Sequence, residues 1–237
     1  MRIHQISLIS ICGLFIASAA APFAVASPIV YQVTVNTTSV AGSNGFVYLQ
    51  FNPAGQTGQQ EATATVSGYT GAANVTPANN STSGNVTVTN GPALTPATMI
   101  GFDTGANGSS STNYFLADQL FTTGITFDVS LDGSEIESPN DQGGGTTFYL
   151  SFFNSSDNPN LTSDSDGVVG SLTVNPNGTV TAETYPGPTG GSSVVTFITP
   201  PPTPPSTVPE PSSAFLLIGG GMGLWAIARR NRSAKVE

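Results

Sequence analysis

The chain has 237 residues and a formal net charge of −9, and where its few charged residues stand excludes more than their totals do. The basic residues are Arg2, Arg229, Arg230, Arg232 and Lys235, and His4, Cys12 and Trp225 are terminal as well. The middle of the chain keeps twelve carboxylates from Glu61 to Glu183 with no internal counter-ion, which excludes a Ser/His/Asp triad, a catalytic thiolate, a Schiff-base amine, His/Cys zinc and a nucleic-acid surface.

The first 26 residues read as a secretory signal. Arg2 and His4 give a positive start, 6–21 an apolar run, and Ala24 and Ala26 bracket an A-x-A cleavage site. The mature chain is then expected to begin at Ser27. With Cys12 removed no disulfide can form, so the body must be held by core burial, which its length permits.

From 27 to 198 Thr, Ser, Asn and Gly interleave with Val, Phe, Tyr, Leu and Ile at period 2, the pattern of half-buried strands. The run 125–132 alternates without a break, apolar at every odd position. Further strands are predicted over 29–35, 46–51, 62–66, 86–89, 114–121, 147–153, 168–174, 179–183 and 194–198. Asn177-Gly178 tolerates the positive φ angles of a hairpin turn, which pairs Leu172 and Val174 with Val180 and Ala182. In 147–153 apolar residues occupy both parities, so that strand is expected to be buried on both faces. No helical stripe and no fixed-period repeat occurs, and the reading is all-β: an antiparallel β-sandwich or jelly-roll-like body.

Residues 199–208 form a Pro-rich linker, and 200–211 in polyproline II would span ~37 Å. An apolar, Gly-rich stretch over about 213–228 follows, near the lower length limit for a bilayer-spanning helix. Arg229, Arg230 and Arg232, within the basic tail 229–235, act as the membrane stop and place the C-terminus in the cytoplasm.

The order of these parts, Val208-Pro209-Glu210-Pro211-Ser212-Ser213, an apolar helix, then Arg229-Arg230, resembles the PEP-CTERM sorting domain of exopolysaccharide-producing Gram-negative bacteria, over 209–235 with Val208 leading in. The resemblance implies an exosortase-type processing enzyme as partner, with Pro209, Glu210 and Pro211 as its recognition residues. It also implies transient inner-membrane anchorage with the body outside the cytoplasm, then delivery to the cell surface or extracellular matrix. The body resembles a group of uncharacterised PEP-CTERM proteins through Tyr31-Gln-Val-Thr-Val35, Phe51-Asn52-Pro53, the 120–131 segment and the 174–179 hairpin.

Asp157, Asp164 and Asp166 form a candidate Ca²⁺ site, oxygen ligands spaced ahead of Gly167, although Thr162 fills the first slot of the usual loop pattern. A plain solvated acidic loop is the alternative reading, and a further acidic cluster comprises Asp128, Asp132, Glu135, Glu137 and Asp141. Paired carboxylates for glycoside hydrolysis would have to be Asp118 with Asp128 or Glu135 with Glu137. Tyr69, Tyr114, Tyr149 and Tyr185 are candidates to stack on sugar rings. The Thr-x-Thr pairs 63/65, 87/89 and 179/181 that ice binding would need are unequally spaced. The expected function is that of a non-enzymatic surface or matrix protein associated with exopolysaccharide, with no required cofactor. A carbohydrate-binding module is the alternative, ahead of a glycoside hydrolase or an ice-binding protein.

Overall fold

The computed structural model describes residues 27–105 and 112–199, all within the first of two compact units, Met1–Pro200 and Pro201–Glu237. The signal segment with Ala24 and Ala26, the linker from 200 onward, Pro209, Glu210, Pro211, the apolar segment and Arg229, Arg230 and Arg232 lie outside the described residues. Among the described residues no helix is long and apolar enough to cross a membrane.

The described chain is all-β, as its period-2 alternation predicts. Eleven strands form one hydrogen-bonded sheet: β1 (Ile29–Asn36), β2 (Asn44–Pro53), β3 (Thr63–Asn74), β4 (Ser81–Ser83), β5 (Val86–Thr89), β6 (Met99–Asp103), β7 (Tyr114–Asp132), β8 (Thr146–Asn154), β9 (Val168–Val174), β10 (Val180–Thr184) and β11 (Val195–Ile198). The main path runs β10-β9-β8-β2-β7-β3-β6-β5, with β1, β4 and β11 off it. All described pairings are antiparallel. The one α-helical turn among the described residues is α1 (Ser134–Glu137). At the 174–179 hairpin Val180 pairs with Val174 and Ala182 with Leu172, the register that the Asn-Gly turn dictates.

The two strands predicted over 114–121 and 125–132 are one 19-residue strand. Along one edge of β7, β2 pairs with residues 114–120 and β1 with 124–131, while β3 follows the other edge past the same corner. At the corner β3 shifts register twice, between Ser67 and Thr70 and between Thr70 and Ala72. Gly68 and Gly71 supply the positive φ that such bulges require. Gly71 also lies against the Gly124 carbonyl, where a Cβ would collide.

This corner doubles the sheet over on itself. Phe102 of β6 and Phe148 of β8 are four strand spacings apart along the path, about 19 Å in a flat sheet, yet their ring centroids are 6.3 Å apart. Gly170 of β9 likewise leaves room for the side chains of Val195 and Phe197 from β11. Between the two layers lies the core, with Phe51, Phe102, Phe115, Phe121, Phe127, Phe148 and Phe152 fully buried. At about 1.5–3 kcal/mol for each fully buried side chain of this size, these rings are a large part of what holds a disulfide-free body together.

Candidate functional site

Even-numbered positions of β2 and β7 and odd-numbered positions of β8 face away from the core. β2 presents Phe46, Tyr48 and Gln50, β7 presents Tyr114, Leu116 and Asp118, and β8 presents Tyr149, Ser151 and Phe153. Cross-strand register gathers them. Gln50 sits opposite both Tyr114 and Tyr149, Tyr48 opposite Leu116 and Ser151, and Phe46 opposite Asp118 and Phe153. The outward face of β8 is therefore covered only in part, and the expectation of burial on both faces gives way to a groove. Ser151 is nevertheless 3% exposed, because larger neighbours stand around it.

The groove encloses ≈ 640 Å³, a size typical of ligand sites. Tyr48, Gln50, Tyr149, Phe153 and Tyr185 line it together with the loop carrying Asp164 and Asp166. An adjoining, more apolar hollow of ≈ 250 Å³ shares Tyr48 and Phe153 with it and adds Phe46, Tyr114, Leu116 and Asp157. The rings of Tyr48 and Tyr114 lie 5.0 Å apart and tilted. Partial burial pushes the Tyr48 hydroxyl above its usual pKa, a hydrogen bond with Gln50 pulls it down, and Tyr114 adds a smaller upward push.

The acidic wall is held in place by its own hydrogen bonds. The Thr162 hydroxyl donates to the Pro186 carbonyl (2.9 Å) and accepts from the Asp164 N–H (3.1 Å). Asp164 Oδ1 in turn accepts from the N–H groups of Asp166 (2.9 Å) and Val168 (3.4 Å). The Tyr185 N–H donates to the Val169 carbonyl (3.0 Å), which fixes the last ring beside this loop. Thr162 is thus turned inward and serves the loop.

The residues picked out in the sequence divide accordingly. Asp164 and Asp166 share the groove, Asp157 lies in the adjoining hollow, and among the described residues no three His, Cys, Asp or Glu side chains gather as a metal-ligand group. Tyr149 and Tyr185 line the groove and Tyr114 the hollow, whereas Tyr69 is 1% exposed in the core, stacked on Phe127 with ring centroids 5.8 Å apart. Tyr48, Gln50 and Phe153 were not singled out by the sequence. Asp118 and Asp128 stand ten residues apart on β7, on either side of its corner, Asp118 paired with Phe46 of β2 and Asp128 with Gln32 of β1. Glu137 is exposed, while Glu135 is buried with both carboxylate oxygens lacking a hydrogen-bond partner. Burial pushes the Glu135 carboxyl above its usual pKa, and the Thr146 hydroxyl beside it pulls the other way. Thr63, Thr65 and Thr87 border a separate hollow on the other layer, across β6 with Gly101 and Asp103 between them, so these threonines form no uninterrupted array.

Outside the described residues, 207–233 match the family model of the PEP-CTERM protein-sorting motif. No curated protein and no solved structure matches the chain. The motif implies export, membrane-anchored sorting toward the cell surface and processing by exosortase.

Proposed function

We propose that the chain is a non-enzymatic protein of the cell surface or extracellular matrix, associated with exopolysaccharide. In this reading a signal peptide exports it, and a short C-terminal helix holds it in the inner membrane until exosortase acts at Pro209-Glu210-Pro211. The sorting motif carries the reading. Support for the absence of turnover comes from a body without Lys, Arg, His or Cys, which leaves only carboxylates, hydroxyls and amides for proton transfer. The test is the mature C-terminus in the native host, read by mass spectrometry. Processing predicts loss of the tail, and its retention with the full-length chain in the membrane once Pro209, Glu210 and Pro211 are replaced by Ala. A mature population that still ends at Glu237 refutes it.

A second reading, carbohydrate binding by the body, is favoured by one observation. Tyr48, Tyr149 and Tyr185 converge with two carboxylates on a pre-formed groove.

A further inference from the structure

Resting on the carbohydrate-binding reading, we infer that the groove takes a glycan without acidic groups, laid across the strands from β2 over β8 toward β9. A sugar ring has an apolar C–H face and a rim of hydroxyls, so its site needs a flat ring to stack on and hydrogen-bonding groups beside that ring. Both are here, and on one face. Four of the six tyrosines, Tyr48, Tyr114, Tyr149 and Tyr185, are half-buried around the groove and hollow, while Tyr31 and Tyr69 are buried. The floor is Ser151, whose small side chain leaves the space that the rings border, and Gln50, Asp164 and Asp166 supply polar groups along the rim.

Register sets the direction. Tyr114, Gln50, Tyr149 and Ser171 stand in one row perpendicular to the strands, across three spacings or about 14 Å. Charge sets the ligand class. The body has twelve carboxylates and no Lys, Arg or His to offset them, and Asp157, Asp164 and Asp166 lie at the groove and hollow. At this range repulsion of a uronic, sulfated or phosphorylated polymer is only partly screened at physiological salt.

The test uses the full chain in detergent, titrated calorimetrically with cellohexaose, laminarihexaose and chitohexaose as uncharged probes and with hexamannuronate as the acidic one. At least one uncharged probe should bind in the micromolar to millimolar range, and hexamannuronate should bind at least about ten-fold more weakly. Tyr48→Ala and Tyr149→Ala should each weaken binding by about ten-fold. Tyr149→Phe keeps the ring and the fold, and should stay within about three-fold of the wild type. If no uncharged probe binds, the carbohydrate reading falls and the inference with it. Binding that survives both alanine substitutions in folded protein overturns the groove as the site but leaves that reading standing. Equal affinity for hexamannuronate overturns the ligand class alone.

Discussion

Replacing Glu135 by Gln should stabilise the body at neutral pH and leave it little changed in acid. The carboxylate is 1% exposed and its oxygens have no hydrogen-bond partner. Burial therefore raises its pKa above the ordinary 4.5, with Thr146 opposing the rise. A folded state that holds this proton more tightly than the unfolded chain is favoured in full below pH 4.5, and the advantage disappears as pH rises through the folded value. As pH rises the wild type therefore loses this advantage, at about 1.4 kcal/mol for each pKa unit that separates the folded from the unfolded chain. For a domain of this size that corresponds to a melting shift of about 2–4 °C per kcal/mol. The amide brings its own cost, but that cost does not vary with pH, and contributions common to both proteins cancel in the difference. The pH-dependent part of the difference consequently isolates Glu135. Urea unfolding of wild type and Glu135→Gln between about pH 4 and pH 8 should show the variant gaining as pH rises. A difference that is flat across this range, or that shrinks as pH rises, would refute the burial argument.

Gly71→Ala should cost about 2–5 kcal/mol, because its Cβ meets the Gly124 carbonyl at φ +93. Gly42→Ala, at φ +81 with nothing within 4 Å, should cost only about 1 kcal/mol; equal losses in urea unfolding would reject the close approach of β3 and β7. Ca²⁺ and Mg²⁺ should raise the melting temperature equally and modestly, matched by monovalent salt at the same ionic strength, since counter-ions screen the mutual repulsion of the body's twelve carboxylates. A rise with micromolar Ca²⁺ alone would show a specific site.

The strands were legible wherever one face is buried, because burial imposes period 2 on the sequence. Two kinds of element escaped that rule. β4 is three exposed residues, and β6 is short and interrupted by Gly101, so neither has room to display an alternation. The other case is β7, whose Thr122-Thr123-Gly124 reads as a turn. Its continuation through the corner depends on a change of partner from β2 to β1, which is a property of pairing and not of local sequence.

The same distinction governs the site. In β3, Ala64 and Val66 are buried, and strict alternation would turn Tyr69 outward with Thr63 and Thr65. The bulge at Gly68 adds a residue, reverses the parity and carries Tyr69 into the core against Phe127. Nothing in the tyrosine itself distinguishes it from Tyr149, which an unbroken strand leaves outside. Glu135 shows the reverse. It stands in an acidic cluster, and a single helical turn after Gly133 buries it. Candidate ligand groups were thus identifiable by type from the sequence, while their side of the sheet was set by two glycines with positive φ. The groove exists because β2 and β8, about a hundred positions apart in sequence, align Tyr48 with Ser151 and Gln50 with Tyr149. A one-residue slip of that pairing would send these side chains into the core layer and abolish the site along with the packing, so the interior that fixes the register also places the rings.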